Sequence, residues 1–209
     1  MKKKSVALMM LACGLCIQTP AAVLADTTAS AESSEAQVKQ GLLKESGKYY
    51  YYVDGVKLKS SWKTIKVKGK SYRYYFGKNG AAYMGKTDFD GAVVPAVKKI
   101  GGSYYAFDTK GRMLKGTQVI NGKFYVFSSK TGKMNKTTTN KLRKASKQGA
   151  SVTTLKKLLK NLGLKPKKTK YLSYSCYGDG VDGTISYSNF KVSIFKGSDG
   201  KLEVLGVMR

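Results

Sequence analysis

Tyrosine and phenylalanine side chains recur in pairs along the middle of this chain, and they are its residues best suited to binding a ligand. An aromatic ring can cover the apolar side of a sugar, and its electron-rich face attracts a quaternary ammonium group. The pairs belong to a unit that is clearest at residues 102–116 (GSYYAFDTKGRMLKG) and recurs at 122–134, with looser copies at 47–55 and 72–85. This repetition indicates an extended binding surface rather than one cleft for catalysis.

The residue types needed for catalysis are scarce. The chain has no histidine, which excludes Ser-His-Asp and Cys-His sites and zinc sites that need imidazole. Asp179 and Asp182 are the closest acidic pair in the glycine-rich stretch 178–183, but two carboxylates supply too few oxygens for calcium. Cys176 lies in an alternating run, and without a histidine partner we predict a small buried residue rather than a nucleophile. We therefore predict a protein that is not an enzyme, with no metal site and no cofactor.

Each copy of the unit is predicted to form a β-hairpin, in which a short aromatic strand is followed by a glycine-closed turn and a second short strand. A single hairpin of this size is barely stable in water, so the copies must pack against one another to bury their aromatic rings. The sequence thus predicts a mainly β array over residues 41–135.

The order of an aromatic pair, a short turn, Gly, one residue, Met and Gly resembles the cell-wall-binding repeats. That family includes the choline-binding and glucan-binding modules of Gram-positive surface proteins. The resemblance implies a hairpin-repeat β-solenoid with a left-handed winding, whose ligands lie between consecutive hairpins. On this basis the expected ligand-binding residues are Trp62, Tyr74, Tyr75, Tyr83, Met84, Tyr104, Tyr105, Met113, Phe124 and Tyr125.

The chain departs from the family pattern where the family usually has tryptophan. Thr117 follows Gly116 and Lys86 follows Gly85, and the chain has a single tryptophan, Trp62. Tryptophan gives the strongest cage for a quaternary ammonium group. One such residue cannot supply a row of cages, so the composition favours wall polysaccharide over choline.

The chain is strongly basic, with 39 Lys and Arg against 12 Asp and Glu and a net charge of +27. Residues 136–170 hold twelve basic side chains and no acidic one. A charge of this size indicates polyanionic surroundings such as teichoic acid, anionic lipid head groups or extracellular DNA, although it also favours solubility. Basic residues mixed with aromatic ones also occur in nucleic-acid binders, but no motif of that class is present and we predict no specific nucleic-acid partner.

The start of the chain resembles a secretory signal. Residues 2–4 are lysines, residues 6–17 are apolar, and Val23-Leu24-Ala25 forms a small-residue cleavage site, so residues 1–25 are predicted to be a signal peptide and 26–40 a flexible spacer. Lipidation at Cys13 is the alternative. No later segment is long and apolar enough to predict a transmembrane helix, and a secreted protein associated with the cell surface is expected.

The last third of the chain differs in pattern. Residues 136–150 are predicted to be a basic linker with one or two helical turns, and 151–209 a small α+β domain in which a helix packs on a three-stranded antiparallel sheet. The leucines of 155–162 lie on one helix face, a threonine is expected to cap the helix, and Gly163 and Pro166 end it. Strands are predicted at 171–177, 184–196 and 201–207.

Two functions follow from these observations. In the first, a secreted, non-catalytic protein contacts wall polysaccharide or teichoic acid through its aromatic repeats and lysines. In the second, the repeats are a spacer and the C-terminal domain binds another protein. That domain faintly resembles modules of the β-lactamase-inhibitor type, which implies a protein-binding or structural role.

Overall fold

The computed structural model describes residues 38–209, which are mainly β-structure with two helices in that range. The predicted signal peptide, nearly all of the predicted spacer and Cys13 lie outside the described residues. The N-terminal strands are β1 (Gly41–Glu45), β2 (Lys48–Val53), β3 (Val56–Lys57), β4 (Ser61–Val67), β5 (Lys70–Phe76), β6 (Lys86–Thr87), β7 (Val93–Val94), β8 (Ala96–Ile100), β9 (Ser103–Phe107), β10 (Gly116–Ile120) and β11 (Lys123–Phe127).

These strands pair with their sequence neighbours into small antiparallel sheets. We name them hairpin A (β1–β2–β3), hairpin B (β4–β5), hairpin C (β8–β9) and hairpin D (β10–β11); β6 and β7 form a short ribbon between B and C. Two-residue turns with positive φ at both positions join the paired strands, as type I′ hairpins require. These turns are Ser46-Gly47, Asp54-Gly55, Lys68-Gly69, Gly101-Gly102 and Asn121-Gly122.

In hairpins C and D the aromatic strand is the second strand, and this differs from the sequence prediction. Strand β9 pairs with the preceding β8, from Ala96↔Phe107 to Ile100↔Ser103. The glycine-closed turn that follows brings the chain back beside β9, where Met113 forms a single isolated bridge opposite Phe107. The pairing beside β9 is limited to the bonds around this bridge, from the Leu114 amide to the Ala106 carbonyl at 2.8 Å and from the Asp108 amide to the Arg112 carbonyl at 3.0 Å. The Met113 amide points the other way and donates to the Arg73 carbonyl of hairpin B, at 2.8 Å.

Equivalent backbone hydrogen bonds join consecutive hairpins. In each one, the second residue after the turn glycine donates to a carbonyl on the aromatic strand of the preceding hairpin. The bonds are Ala82 N to Tyr49 O (2.8 Å), Met113 N to Arg73 O (2.8 Å) and Met134 N to Tyr104 O (2.9 Å). The hairpins therefore follow one another through a repeated contact, while the left-handed solenoid winding remains a prediction.

The predicted basic linker is mostly helix α1 (Lys136–Ala145), which corrects the sequence analysis. The Asn135 side chain caps it by accepting from the Thr138 amide, at 2.9 Å. Leu142 is fully buried, and the buried Thr139 hydroxyl accepts from the Val126 amide of β11, at 3.0 Å. Packing on hairpin D thus converts this basic stretch, whose threonines favour helix only weakly, into a helix.

Helix α2 (Val152–Asn161) lies close to the prediction, but its cap differs. Ser151 rather than a threonine is the N-cap, and its hydroxyl accepts from the Thr154 amide at 3.4 Å. The end agrees with the prediction, because Gly163 has φ +74 and its amide donates to the Lys160 carbonyl. Glycine adopts this left-handed conformation without the steric cost that a Cβ imposes.

The C-terminal sheet has four antiparallel strands in sequence order, where three were predicted. They are β12 (Lys168–Tyr171), β13 (Gly180–Ser186), β14 (Lys191–Gly197) and β15 (Leu202–Met208). The predicted strand at 171–177 is wrong, because β12 ends at Tyr171. The predicted strand at 184–196 is divided by a turn in which the Tyr187 amide donates to the Phe190 carbonyl at 2.9 Å.

Cys176 is exposed, which contradicts the prediction of a buried residue. It lies in the irregular segment between β12 and β13, where neighbouring Tyr174 and Tyr177 are also exposed. The alternating pattern that predicted a half-buried strand forms no regular strand here. The segment contacts the sheet only locally, for example where the Tyr177 ring meets Phe195 edge to face at 5.2 Å, and the Cys176 side chain remains exposed.

The largest hydrophobic cluster joins hairpin D to the C-terminal part of the chain. Val119, Phe124 and Val126 of hairpin D pack in one core with residues of both helices and of the C-terminal sheet. The remaining buried members of this core are Leu142, Ala145, Val152, Leu155, Leu159, Ile185, Tyr187, Phe190, Val192, Ile194, Val204 and Val207. This core therefore extends across the predicted domain limit at residue 135.

Candidate ligand-binding surface

Four of the predicted binding residues come together in one aromatic cluster between hairpins B and C. The Trp62 ring centroid lies 5.1 Å from that of Tyr75 and 4.8 Å from that of Tyr105, and both pairs meet edge to face. Tyr75 in turn lies 5.1 Å from Tyr83. Edge-to-face contacts of this kind stabilise packing beyond the area that they bury. We call these four residues the Trp62 cluster.

A cation of the chain itself lies over the Trp62 ring. The guanidinium carbon of Arg73 lies 4.4 Å from the Trp62 ring centroid. On strand β5, Arg73 lies two residues before Tyr75, which pairs with Trp62, and Arg73 itself pairs with Thr64 of β4. A planar guanidinium stacked on an aromatic ring is a favourable cation–π contact.

Three predicted binding residues are buried, so in this structure they pack the core instead of facing a ligand. Tyr74 is 2% exposed and Tyr105 7%, and Phe124 is fully buried. Burial also raises the pKa of the Tyr74 hydroxyl above its ordinary value. Tyr74 and Tyr105 lie where one hairpin packs on the next, since each hairpin has little other apolar mass to bury. Phe124 instead packs in the core that hairpin D shares with both helices and the C-terminal sheet.

Tyr83 and Met84 line an open groove of about 520 Å³ formed by hairpin A, hairpin C and the segment after hairpin B. Lys98 also lines it, and its ammonium nitrogen lies 5.7 Å from the Tyr83 ring centroid. We call this the Tyr83 groove. Its full lining is Ser46, Gly47, Lys48, Asn79, Ala81, Ala82, Tyr83, Met84, Gly85 and Lys98.

Met113 lines a second groove, of about 480 Å³, formed by hairpins B and D and the segment before D. Arg73, Lys115 and Lys130 give it three positive charges. We call it the Arg73 groove, and its other lining residues are Thr64, Ser71, Tyr72, Leu114 and Gln118. The sequence analysis did not select these cations individually, although basic residues beside aromatic ones were a visible signal.

The remaining predicted residues, Tyr104 and Tyr125, are half-buried and lie near cations. The Arg143 guanidinium of α1 stacks 4.1 Å from the Tyr125 ring centroid, and its Nε donates to the Phe124 carbonyl at 2.8 Å. The Lys136 ammonium lies 5.9 Å from the Tyr104 ring centroid.

The pairing of a ring with a cation of the chain itself recurs along the array. Further pairs are Lys57 over Tyr50 at 3.8 Å, Lys63 over Tyr51 at 5.0 Å and Arg112 over Tyr72 at 4.8 Å. In the last pair the Arg112 charge is compensated, because Asp108 contacts the guanidinium at 2.6 Å. Tyrosine rings with a lysine or arginine above them therefore recur from hairpin A to hairpin D.

The outer side of the C-terminal sheet carries a different surface, a depression of about 450 Å³. Leu172 and side chains of Lys170, Thr184, Ser186 and Lys191 contribute to its lining. The segment beside it exposes large apolar side chains, namely Tyr171, Leu172, Tyr174 and Tyr177. We call these four residues the tyrosine loop.

Within residues 38–209 there is no group of three or more carboxylate, thiol or imidazole side chains placed to hold a metal ion. No helix in this part of the chain is long and apolar enough to cross a membrane.

Part of the central repeats matches a known repeat family. A family model described as the choline-binding repeat matches residues 96–139, from β8 into α1. No sequence among the curated proteins matches the chain. The match confirms the resemblance to choline-binding-type repeats that was stated from the sequence.

Among solved structures, choline binding protein F from Streptococcus pneumoniae matches with 20% identity and a TM-score of 0.34, over 79% of this chain and 42% of that one. The pneumococcal cell wall endolysin from phage Cp-1, complexed with choline, matches with 16% identity and a TM-score of 0.36, over 82% of this chain and 39% of that one. The chain thus matches less than half the length of either protein.

Proposed function

We propose, from the choline-binding-type repeat that this chain carries, that the protein is a secreted, non-catalytic binder of Gram-positive cell wall. Its hairpin array contacts wall polysaccharide or teichoic acid, and the protein is held at the cell surface by this contact. The tyrosine and methionine side chains cover the apolar parts of the polymer, while lysine and arginine attract its negative charge.

The observation that carries this proposal is the composition of the two grooves on the array. Each combines apolar or aromatic side chains, such as Tyr83 or Tyr72, with two or three cations, and the described lining of each contains no carboxylate. Wall polymers combine sugar or polyol units with anionic groups. The sugar or polyol units can contact the aromatic and apolar side chains, and the anionic groups can contact the cations. Open grooves of this kind suit a chain-like ligand better than a small enclosed substrate.

The test is retention of the mature protein on purified Gram-positive walls, with and without teichoic acid, across a salt series. We expect retention at low salt that weakens as salt screens the lysines and arginines. The double variant Lys48→Gln/Lys98→Gln should weaken retention more than Lys157→Gln/Lys160→Gln, which removes the same charge at two exposed positions of α2. Failure of unmodified walls to retain the protein at low salt would contradict the proposal.

A second candidate function rests on the tyrosine loop. Tyrosine is enriched in protein–protein contact sites, and here the Tyr171 ring also lies 6.0 Å from the Lys196 ammonium. In this case the C-terminal sheet binds an acidic protein at the cell surface. Ser at Tyr174 and Tyr177 should then abolish partner capture and leave wall retention unchanged; unchanged capture would remove this candidate.

A further inference from the structure

We propose that the array selects a phosphodiester-linked wall polymer and excludes quaternary ammonium ligands, with the Arg73 groove as the phosphate site. This inference rests on the proposed wall binding and names the chemical class that the site recognises. It differs from what choline-binding-type repeats would suggest by themselves.

The first step concerns the ring faces. A quaternary ammonium ligand needs a free aromatic face, with its charge within about 6 Å of the ring centroid. At Trp62 this place is taken by the Arg73 guanidinium, 4.4 Å from the centroid. Lys57 takes the equivalent place at Tyr50, at 3.8 Å, and Arg143 at Tyr125, at 4.1 Å. A second cation would be repelled by a like charge and would have to displace it.

The second step concerns the charges of the Arg73 groove. The ion pairs found within residues 38–209 involve Glu45, Asp108 and Asp199. None of them includes Arg73, Lys115 or Lys130. Three cations that share one groove without a carboxylate repel one another, and an anion that enters between them relieves this repulsion.

The third step concerns geometry. The Arg73 backbone is held by the contact between successive hairpins, since its carbonyl accepts from the Met113 amide at 2.8 Å. Its guanidinium can offer two parallel N–H donors to a phosphate while one face stays on Trp62. Thr64 and Ser71 add hydroxyls and Gln118 adds an amide to the same lining. These groups suit the hydroxyls of a polyol unit next to the phosphate.

The experiment uses Trp62, the single tryptophan of the chain, as a fluorescent reporter. Purified polyglycerol phosphate and choline are titrated separately into the full chain. We expect the polymer to change Trp62 emission and choline to leave it unchanged.

The decisive variant is Arg73→Ala, which removes the groove cation and uncovers the Trp62 face together. Polymer affinity should fall about two- to fivefold, and choline should now change Trp62 emission. The matched control is Lys157→Ala on α2, which removes one exposed charge outside the array and should change neither titration. Arg73 is exposed, so its loss should not unfold the protein. The double variant Lys115→Gln/Lys130→Gln leaves Arg73 on Trp62 and should weaken polymer binding without admitting choline.

Two results would overturn the inference while leaving wall binding intact. One is choline binding to the unmodified chain, with release of the protein from walls by free choline. The other is an equal loss of polymer affinity in Arg73→Ala and Lys157→Ala, which would show that only total charge matters. Failure of the proposed function itself would be seen separately, as absence of retention on walls at low salt.

Discussion

Hairpins C and D carry nearly the same sequence pattern, yet one contributes to a surface and the other to a core. Tyr104 of hairpin C and Phe124 of hairpin D follow their turn glycines at the same distance, and each contributes a backbone carbonyl to a contact with a later element. Tyr104 remains half-buried, whereas Phe124 is fully buried and meets Phe190 edge to face at 5.1 Å. The difference arises from the chain that follows, because α1, α2 and the C-terminal sheet cover hairpin D.

Hairpins A to C are stabilised by smaller clusters. One contains buried Tyr74, Phe76 and Ala82, and another joins Ala106 of hairpin C to Ile120 and Phe127 of hairpin D. Since these clusters leave the rims of the hairpins uncovered, polar and ionic contacts contribute a larger part of the stability there. The two regions should therefore respond differently to the same kind of perturbation.

The largest expected effect is the loss of Phe124. Phe124→Ala should lower the free energy of unfolding by about 3–5 kcal/mol, because it removes a large ring from a closed core and leaves a cavity. The matched variant Tyr104→Ala should cost about 1–2 kcal/mol, since that ring is only half-buried. Urea denaturation followed by far-ultraviolet circular dichroism measures both. Equal losses would show that the two hairpins are stabilised alike and would break the comparison.

A smaller effect is expected at the start of α2. Ser151→Ala should lower the free energy of unfolding by about 1 kcal/mol because the Thr154 amide loses its acceptor. Thr153→Ala should change the free energy by less than about 0.5 kcal/mol, since Thr153 is an exposed residue inside the helix. Thermal unfolding of the two variants distinguishes the serine cap from the threonine cap that the sequence suggested.

The smallest effect is expected at the outer end of hairpin A. Hydrogen bonds from Lys39 and then from the Tyr52 hydroxyl lower the pKa of Glu45 from 4.5 to about 2. Because the pKa is lower in the folded state, the contribution is complete above pH 4.5 and disappears as the pH falls towards 2. Glu45→Gln should therefore destabilise residues 41–57 at neutral pH and have no effect near pH 2. Hydrogen exchange resolved along the chain measures this difference, and a difference that persists at low pH would contradict the assignment.

Much of the local structure could be predicted from the sequence. The repeated aromatic unit indicated hairpins in residues 41–135, and the leucine spacing in 155–162 indicated α2 with its end at Gly163. These signals are local: turn glycines and the periodicity of apolar residues determine whether a segment is a hairpin or a helix. The pairing of strands was less visible, because the aromatic strand of hairpin C could pair with the segment before it or after it.

The errors share one physical cause, which is that tertiary contacts determined the outcome. Helix α1 has a basic, threonine-rich sequence and becomes helical by packing on hairpin D. The segment around Cys176 alternates like a strand, but no neighbouring strand pairs with it. Of the predicted binding residues, Tyr74 and Tyr105 are buried at contacts between hairpins and Phe124 is buried in the C-terminal core. A repeat pattern does not distinguish a ring that packs from a ring that faces solvent.

By itself the sequence determined the repeat unit, the absence of histidine chemistry and the strongly positive charge, because these depend only on residue type and spacing. The tertiary structure decided which rings are buried and which cation lies over which ring. It also decided that the last hairpin, hairpin D, packs in one core with the helices and the C-terminal sheet. Arg73 and Trp62 show why: they lie on paired strands, and only the register of β4 with β5 brings the guanidinium over the indole. Such proximity depends on strand register and hairpin packing, which no single segment of the sequence specifies.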